Sequence, residues 1–405
     1  MTPRSRRPAA LTALAAFALA VAACGGLAPT STQPATPSGG APTPVATATP
    51  PASEPAPTQP PPDPTPDAAG CVLPPLDVRV AQLLLAGVAG TEPTAASLEL
   101  VRSGVGGILL LGANVESGPQ VAALVAGLQA EAALPLVVAI DEEPGRIGRL
   151  ARAGIIEGSP SARELGREPA ATVRATARRI GEGLAELGIT TNLAPVLDVT
   201  GAAAGGVIGD RSFGSSPSVV TRAGGAFLTG LVDAGIAGVA KHFPGHGETT
   251  VDSHTSLPKV GVSLATLQER ALPPFVAAVR DGVPAIMVGH LLVPALDANR
   301  PASLSRAVIQ GLLRDDLGFD GLVMADDFGM GALASWGDLP RRTELAIVAG
   351  VDMAIVLDEH AVPDVVAGLL DAVAEGRLSE ARVDEAFLRV VRFRRLAGYE
   401  GCGSR

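Results

Sequence analysis

Four of the chain's five histidines stand where an apolar run gives way to polar residues. His242, His246 and His254 fall within residues 241–254 (KHFPGHGETTVDSH), and His290 follows the apolar run 285–288. Carboxylates sit at matching places: Asp141 after 135–140, Asp198 after 191–197, and Asp326-Asp327 after 321–325. The triplet Asp252-Ser253-His254 puts a carboxylate beside an imidazole. Such a partner fixes the ring's tautomer and orientation, and histidine titrates near working pH, so the pair can act as acid and then as base. A carboxylate at a rigid strand end, Asp326, can serve as nucleophile, and together these are the parts that cleavage of a glycosidic bond requires. Asp141, Arg149, Arg211 and Lys241 would hold the hydroxyl and acyl oxygens of one sugar. Each residue alone also has a plainer reading: an Asp after a strand caps the next helix, and His290 could be a satisfied core histidine. His242, His246, Asp252 and His254 also carry enough donors for a zinc ion. Against that, Pro244-Gly245 keeps His242 and His246 off a common helix face, and Lys241 would repel a cation; no metal and no cofactor are expected.

Positioning these groups requires a regular alternation. Eight apolar runs, at 82–88, 105–111, 135–140, 191–197, 235–240, 285–288, 321–325 and 351–357, read as strands covered on both faces. Helical periodicity fills 170–187, 218–234, 264–281, 304–317, 341–349 and 362–375, each stopped near a glycine: Gly188, Gly235, Gly282, Gly318, Gly350 and Gly376. Eight strand–helix units in about this length predict a single (β/α)₈ barrel, in which chemistry sits on the loops after the strands. A doubly wound open sheet is the alternative; no GxGxxG follows the first strand, which disfavours a nucleotide fold.

The 405 residues do not all belong to that barrel. Arg4, Arg6 and Arg7 precede a short apolar stretch, the pattern of a secretory signal over residues 1–23. Residues 24–70 are rich in Pro, Thr, Ala and Ser and cannot bury enough apolar surface to fold. They predict a semi-extended tether, leaving 71–405 as the folded domain. The net charge of −10 makes it a poor nucleic-acid binder. Cys71 and Cys402 bracket the domain, and in an oxidising compartment a disulfide between them is expected. Trp336 and Tyr399 are the only Trp and Tyr, which favours a small polar pocket acting on a terminal sugar over a long aromatic groove. A monomer is expected.

Several stretches resemble a known family. KHFPGHGETTVDSHTSLP is similar to the signature of bacterial β-N-acetylhexosaminidases of glycoside hydrolase family 3, and the similarity extends over residues 75–395 through IDEEPGRIGRL, LAPVLDV, IGDRSFG and VMADDFGM. The resemblance implies a retaining exo-β-N-acetylglucosaminidase that acts without metal on peptidoglycan fragments or related glycans. It implies Asp326 as nucleophile rather than Asp327, His254 as acid/base and Asp252 as its partner. Asp141, Arg149, Arg211, Lys241 and His242 then bind the sugar, and His290, at the end of the sixth apolar run, is expected to bind it with them. Val21-Ala22-Ala23-Cys24 resembles a bacterial lipobox, which implies cleavage before Cys24, lipidation of its thiol and anchoring on the outer face of the cell membrane. Departures are Pro144 for a usual Gly, Gly148 for a polar residue, Glu248 for Asp, and Phe328-Gly329 for Leu-Ser. A β-glucosidase or β-glycoside phosphorylase on the same barrel, and a non-catalytic sugar-binding lipoprotein, are the competing readings.

Overall fold

The computed structural model describes residues 73–200, 207–249 and 251–396. The signal and tether expectations, Cys24, Cys71, Cys402 and Tyr399 lie outside them. The strands are β1 Leu84–Gly87, β2 Gly107–Leu110, β3 Val137–Ile140, β4 Thr191–Asn192, β5 Ala237–Phe243, β6 Ala285–Val288, β7 Leu322–Ala325 and β8 Met353–Val356. All neighbours pair in parallel and β8 returns to β1, closing the barrel in chain order. The predicted (β/α)₈ barrel is therefore the observed fold.

The strands are short and fully buried, because each has the barrel interior on one side and the helices on the other. Successive side chains point to opposite faces, and the apolar residues divide accordingly. Leu85, Leu109, Val137, Ala139, Val239, Met287, Met324 and Met353 fill the interior. Leu84, Ala86, Ile108, Leu110, Val138, Ala240 and Val323 pack outward against the helices. Burying one such Leu or Ile contributes about 1.5–3 kcal/mol.

Two predicted elements differ. The run 191–197 yields only a two-residue strand, because Pro195 has no N–H for the ladder; pairing with β5 resumes as a bridge from Val196 to Lys241. The helix expected at 264–281 is broken into Leu264–Thr266, a wide turn Leu267–Ala271 and Pro273–Arg280. Pro273 and Pro274 cannot donate to the preceding turn, so the regular ladder stops there and restarts with proline in its first turn. The glycine stops are used as expected: Gly235 at φ 76° and Gly350 at φ 122° end the helices that feed β5 and β8.

Candidate active site

The same alternation that divides the core aims the polar residues. Along β3, Val137 and Ala139 point into the barrel, and the next residue of that face is Asp141. On β7 Leu322 and Met324 point inward, and Asp326 continues their row. On β5 Ala237 and Val239 lead to Lys241. The register between β5 and β6 shifts between Lys241 and Phe243. One extra residue in a strand re-aims its side chains, and as a result both Lys241 and His242 line the cavity at the C-terminal mouth of the barrel.

That cavity has a volume of about 240 Å³ and is lined by Asp141, Glu143, Arg149, Arg211, Lys241, His242, His246, His254 and Asp326, with apolar walls from Ile147, Ile208, Met287, Met330 and Leu357. Its floor is an ion network. Lys241 Nζ lies 2.6 Å from Asp141 Oδ1 and 2.8 Å from Glu143 Oε1. Arg211 donates two bonds of 2.8 Å to Glu143, one to each carboxylate oxygen. Glu143 and Lys241 are almost fully buried, with side chains 1% and 3% exposed. Burial works against the charge on Glu143, but Lys241 and Arg211 overcome it and hold its carboxyl well below the ordinary range. For Lys241 burial again opposes the charge, and Asp141 and Glu143 raise its pKa regardless. Arg149 is more loosely held: its guanidinium is 3.7 Å from Asp141 and its Nε has no hydrogen-bond partner.

A second anchor holds the segment that leaves β5. Asp198, fully buried, accepts from the backbone N–H of His246 at 2.6 Å and of His242 at 3.3 Å, and faces His242 Nδ1 at 2.7 Å. Burial opposes its charge, but the two histidines and these bonds pull its pKa down. The unshared edge of the His242 ring is thereby left to the cavity.

Asp326 is half-buried, and its Oδ1 accepts from the N–H of Asp327 at 2.9 Å. Burial alone would raise its pKa; the neighbouring His290, His242 and Lys241 and the Asp327 amide lower it, so it stays ionised at neutral pH. Asp327 also borders the cavity, but its Oδ1 is taken by Leu357 N–H at 3.1 Å, and burial raises its pKa. His290 does not line the cavity. It is 1% exposed, with Nδ1 2.7 Å from Ser303 Oγ and Nε2 3.0 Å from the carbonyl of Asp327. His290 was expected to bind substrate; in this structure both of its ring nitrogens are engaged beneath the Asp326-Asp327 turn.

Asp252 and His254 stand apart in character. Asp252 Oδ1 accepts from the N–H of His254 at 3.0 Å and faces its ring Nδ1 at 2.6 Å. Those bonds lower the Asp252 pKa. The imidazole is 69% exposed, with Nε2 directed away from the pair. The loop is tied to the β7 exit: Gly331 N–H donates to the carbonyl of His254 and Ala332 N–H to that of Ser253, both at 3.1 Å. Gly331 permits this approach, since a Cβ there would stand 2.8 Å from the His254 and Thr255 carbonyl oxygens. Of the four side chains weighed as zinc ligands, His242 faces Asp198, His246 Nδ1 lies 2.9 Å from Thr249 Oγ1, and Asp252 and His254 face each other; among the described residues no three His, Cys, Asp or Glu gather as a metal site. Glu143 and Asp198 were not assigned roles from sequence, and His246 was weighed only as a zinc donor. Their signal was position alone, at strand exits beside residues that were assigned roles.

The arrangement offers a carboxylate, a carboxylate-held imidazole and a preformed set of cations around a pocket the size of one sugar. Comparison with known proteins agrees. The family model for the glycosyl hydrolase family 3 N terminal domain matches residues 75–393. The β-hexosaminidase LpqI of Mycobacterium tuberculosis is 39% identical over 348 residues, 84% of this chain and 87% of that protein. The solved structure of that LpqI superposes with a TM-score of 0.73, covering 79% of this chain and 94% of the other. A family 3 β-N-acetylglucosaminidase from Paenibacillus sp. str. FPU-7 superposes with a TM-score of 0.78 at 37% identity, covering 80% of this chain but only 63% of that one. On these matches the chain belongs to glycosyl hydrolase family 3, as a glycoside hydrolase similar to the bacterial β-hexosaminidases.

Proposed function

We propose that the chain is a retaining exo-β-N-acetylglucosaminidase that removes terminal β-linked N-acetylglucosamine from peptidoglycan fragments or related glycans. The observation that carries this reading is that one small cavity is walled both by the ionised Asp326 and by His254, whose ring is held by Asp252. In the first step the Asp326 carboxylate attacks the anomeric carbon as the glycosidic bond breaks, and His254 Nε2–H gives its proton to the departing oxygen. In the second, neutral His254 takes a proton from water, which displaces Asp326 and releases the sugar with its configuration retained. Asp141, Arg149, Arg211, Lys241 and His242 bind the sugar's oxygens. Asp252 stabilises the imidazolium and fixes Nε2 toward the substrate. The charged floor is already paired before substrate arrives, so little reorganisation is needed at the moment of reaction.

The N-terminal features support a proposal of their own: lipidation at Cys24 after removal of residues 1–23, with residues 24–70 tethering the 71–405 domain to the outer face of the membrane. Labelling with a radioactive fatty acid, abolished by Cys24→Ala, tests that proposal.

The catalytic reading is tested with residues 71–405 in phosphate-free buffer, comparing nitrophenol release from the β-N-acetylglucosaminide and the β-glucoside. Strong preference for the N-acetyl sugar is expected. Preference for the glucoside would overturn the substrate assignment, and release that begins only on adding phosphate would overturn hydrolysis.

A further inference from the structure

Arg149 is held in place by something other than its own guanidinium, which makes one 3.7 Å contact and leaves Nε unpartnered. Its position is set by the backbone turn Arg149–Arg152. That turn begins at Gly148, which supplies no side-chain cap. The first amides of a helical turn need acceptors, and here they find them in Glu142. Glu142 Oε2 accepts from Leu150 N–H at 2.7 Å, and Oε1 from Ala151 N–H at 3.2 Å. The Glu142 side chain is almost completely buried. Its backbone is clamped to β4, where the Asn192 amide accepts from Glu142 N–H at 3.0 Å and donates to Glu142 C=O at 2.9 Å. Gly148 makes the room: a Cβ there would stand 2.8 Å from Glu142 Oε1. The glycine at 148, a departure from the usual pattern, and the buried carboxylate form one device.

We propose that Glu142 is a positioning residue, whose carboxylate caps the Arg149–Arg152 turn and thereby fixes the Arg149 guanidinium at the wall of the sugar pocket. The proposal rests on the sugar-binding reading of Arg149 given above. Burial pushes the Glu142 carboxyl up to about 7, against the bonds from Leu150, Ala151 and Arg149 and the charge of Arg149, the charged group that faces it. Protonation occupies one of the two accepting oxygens, so the cap is complete above neutral pH and weakened below it.

The test is the split of kcat and KM for a nitrophenyl β-N-acetylglucosaminide in Glu142→Gln and Gly148→Ala, alone and combined with Arg149→Ala. At pH 8 each single variant is expected to raise KM about tenfold, the size of losing a charged acceptor, with kcat within about twofold. The wild-type KM rises as pH falls through about 7, and that rise is lost in Glu142→Gln. In the Arg149→Ala background neither change adds to KM. A KM unchanged in both variants, a loss confined to kcat, or a KM effect that persists without Arg149 would overturn the proposal. If no glycoside is turned over, the functional reading fails separately. Glu142 is then read from hydrogen exchange of the Leu150 and Ala151 amides at pH 8, expected about tenfold faster in Glu142→Gln; equal exchange would overturn the cap.

Discussion

The floor of the pocket and the loop above it are built on opposite plans. On the floor Lys241 and Glu143 are buried, Arg211 and Asp141 partly so, and the four charges neutralise one another. On the loop Asp252 and His254 are open to solvent and held by each other and by two backbone bonds from the β7 exit. Sugar binding needs fixed charges in a dry site, where each interaction is strong but an unmatched partner is costly. Proton transfer needs a group that can meet both a leaving oxygen and an incoming water. The two regions should therefore respond oppositely to mutation: the floor in stability and binding, the loop in chemistry with the fold intact.

Removing the proposed nucleophile is expected to give the largest effect. Asp326→Ala should lower kcat by about 10⁴-fold or more on every glycoside, measured by nitrophenol release, with the far-ultraviolet dichroism unchanged. Breaking the floor comes next. Glu143→Ala removes the salt-bridge partner of Arg211 and leaves Lys241 with Asp141, and should cost about 3–5 kcal/mol in urea unfolding; a loss under 1 kcal/mol would mean the network is not the tightly coupled unit described. His254→Ala should cost about 10²–10⁴-fold on poor leaving groups and far less on activated aryl glycosides, with no fall in Tm, since the ring is exposed. Equal losses on both substrate types would remove His254 as the acid. Gly331→Ala pushes a Cβ against the His254 carbonyl and should reduce kcat by about tenfold while KM holds. At the small end, Arg102→Ala breaks the exposed pair with Glu131 and should shift stability by under about 1 kcal/mol, a control for the buried network.

Linkage sharpens the contrast further. Glu142 has a folded pKa of about 7, raised above its ordinary 4.5, so the folded chain binds more protons than the unfolded one between those values. Its contribution to stability therefore falls as pH rises through that window. Glu142→Gln should gain on the wild type in unfolding free energy from pH 4.5 to 7, by up to about 3 kcal/mol. A flat difference across that window would place the carboxyl's pKa elsewhere.

The barrel was legible because buried parallel strands are written as apolar runs, and the period-two alternation then selects Asp141, Lys241 and Asp326 as inward-facing. The short β4 was less so, because a run containing Pro195 reads as apolar without saying that its ladder is interrupted. The Asp252–His254 pair was legible because both partners lie within three residues of each other. Glu143 on Arg211, Asp198 beneath His242 and His246, and Glu142 under Gly148 were not, since each contact joins different loops whose proximity exists only once the barrel closes. The orientation of His290 was not legible for a related reason: its place after β6 is that of a pocket residue, but whether the ring points to the cavity or beneath a turn depends on partners such as Ser303.

The central claim is that Asp326 carries the sugar while His254 serves acid and base. It is tested most directly by mixing His254→Ala with a dinitrophenyl β-N-acetylglucosaminide, whose leaving group needs no acid, and taking peptide masses after rapid acid quench. Without its base the second step stalls, so the account predicts a mass gain of one N-acetylhexosamine residue on the peptide containing Asp326. Continued turnover with no adduct, or an adduct on a different residue, would contradict it.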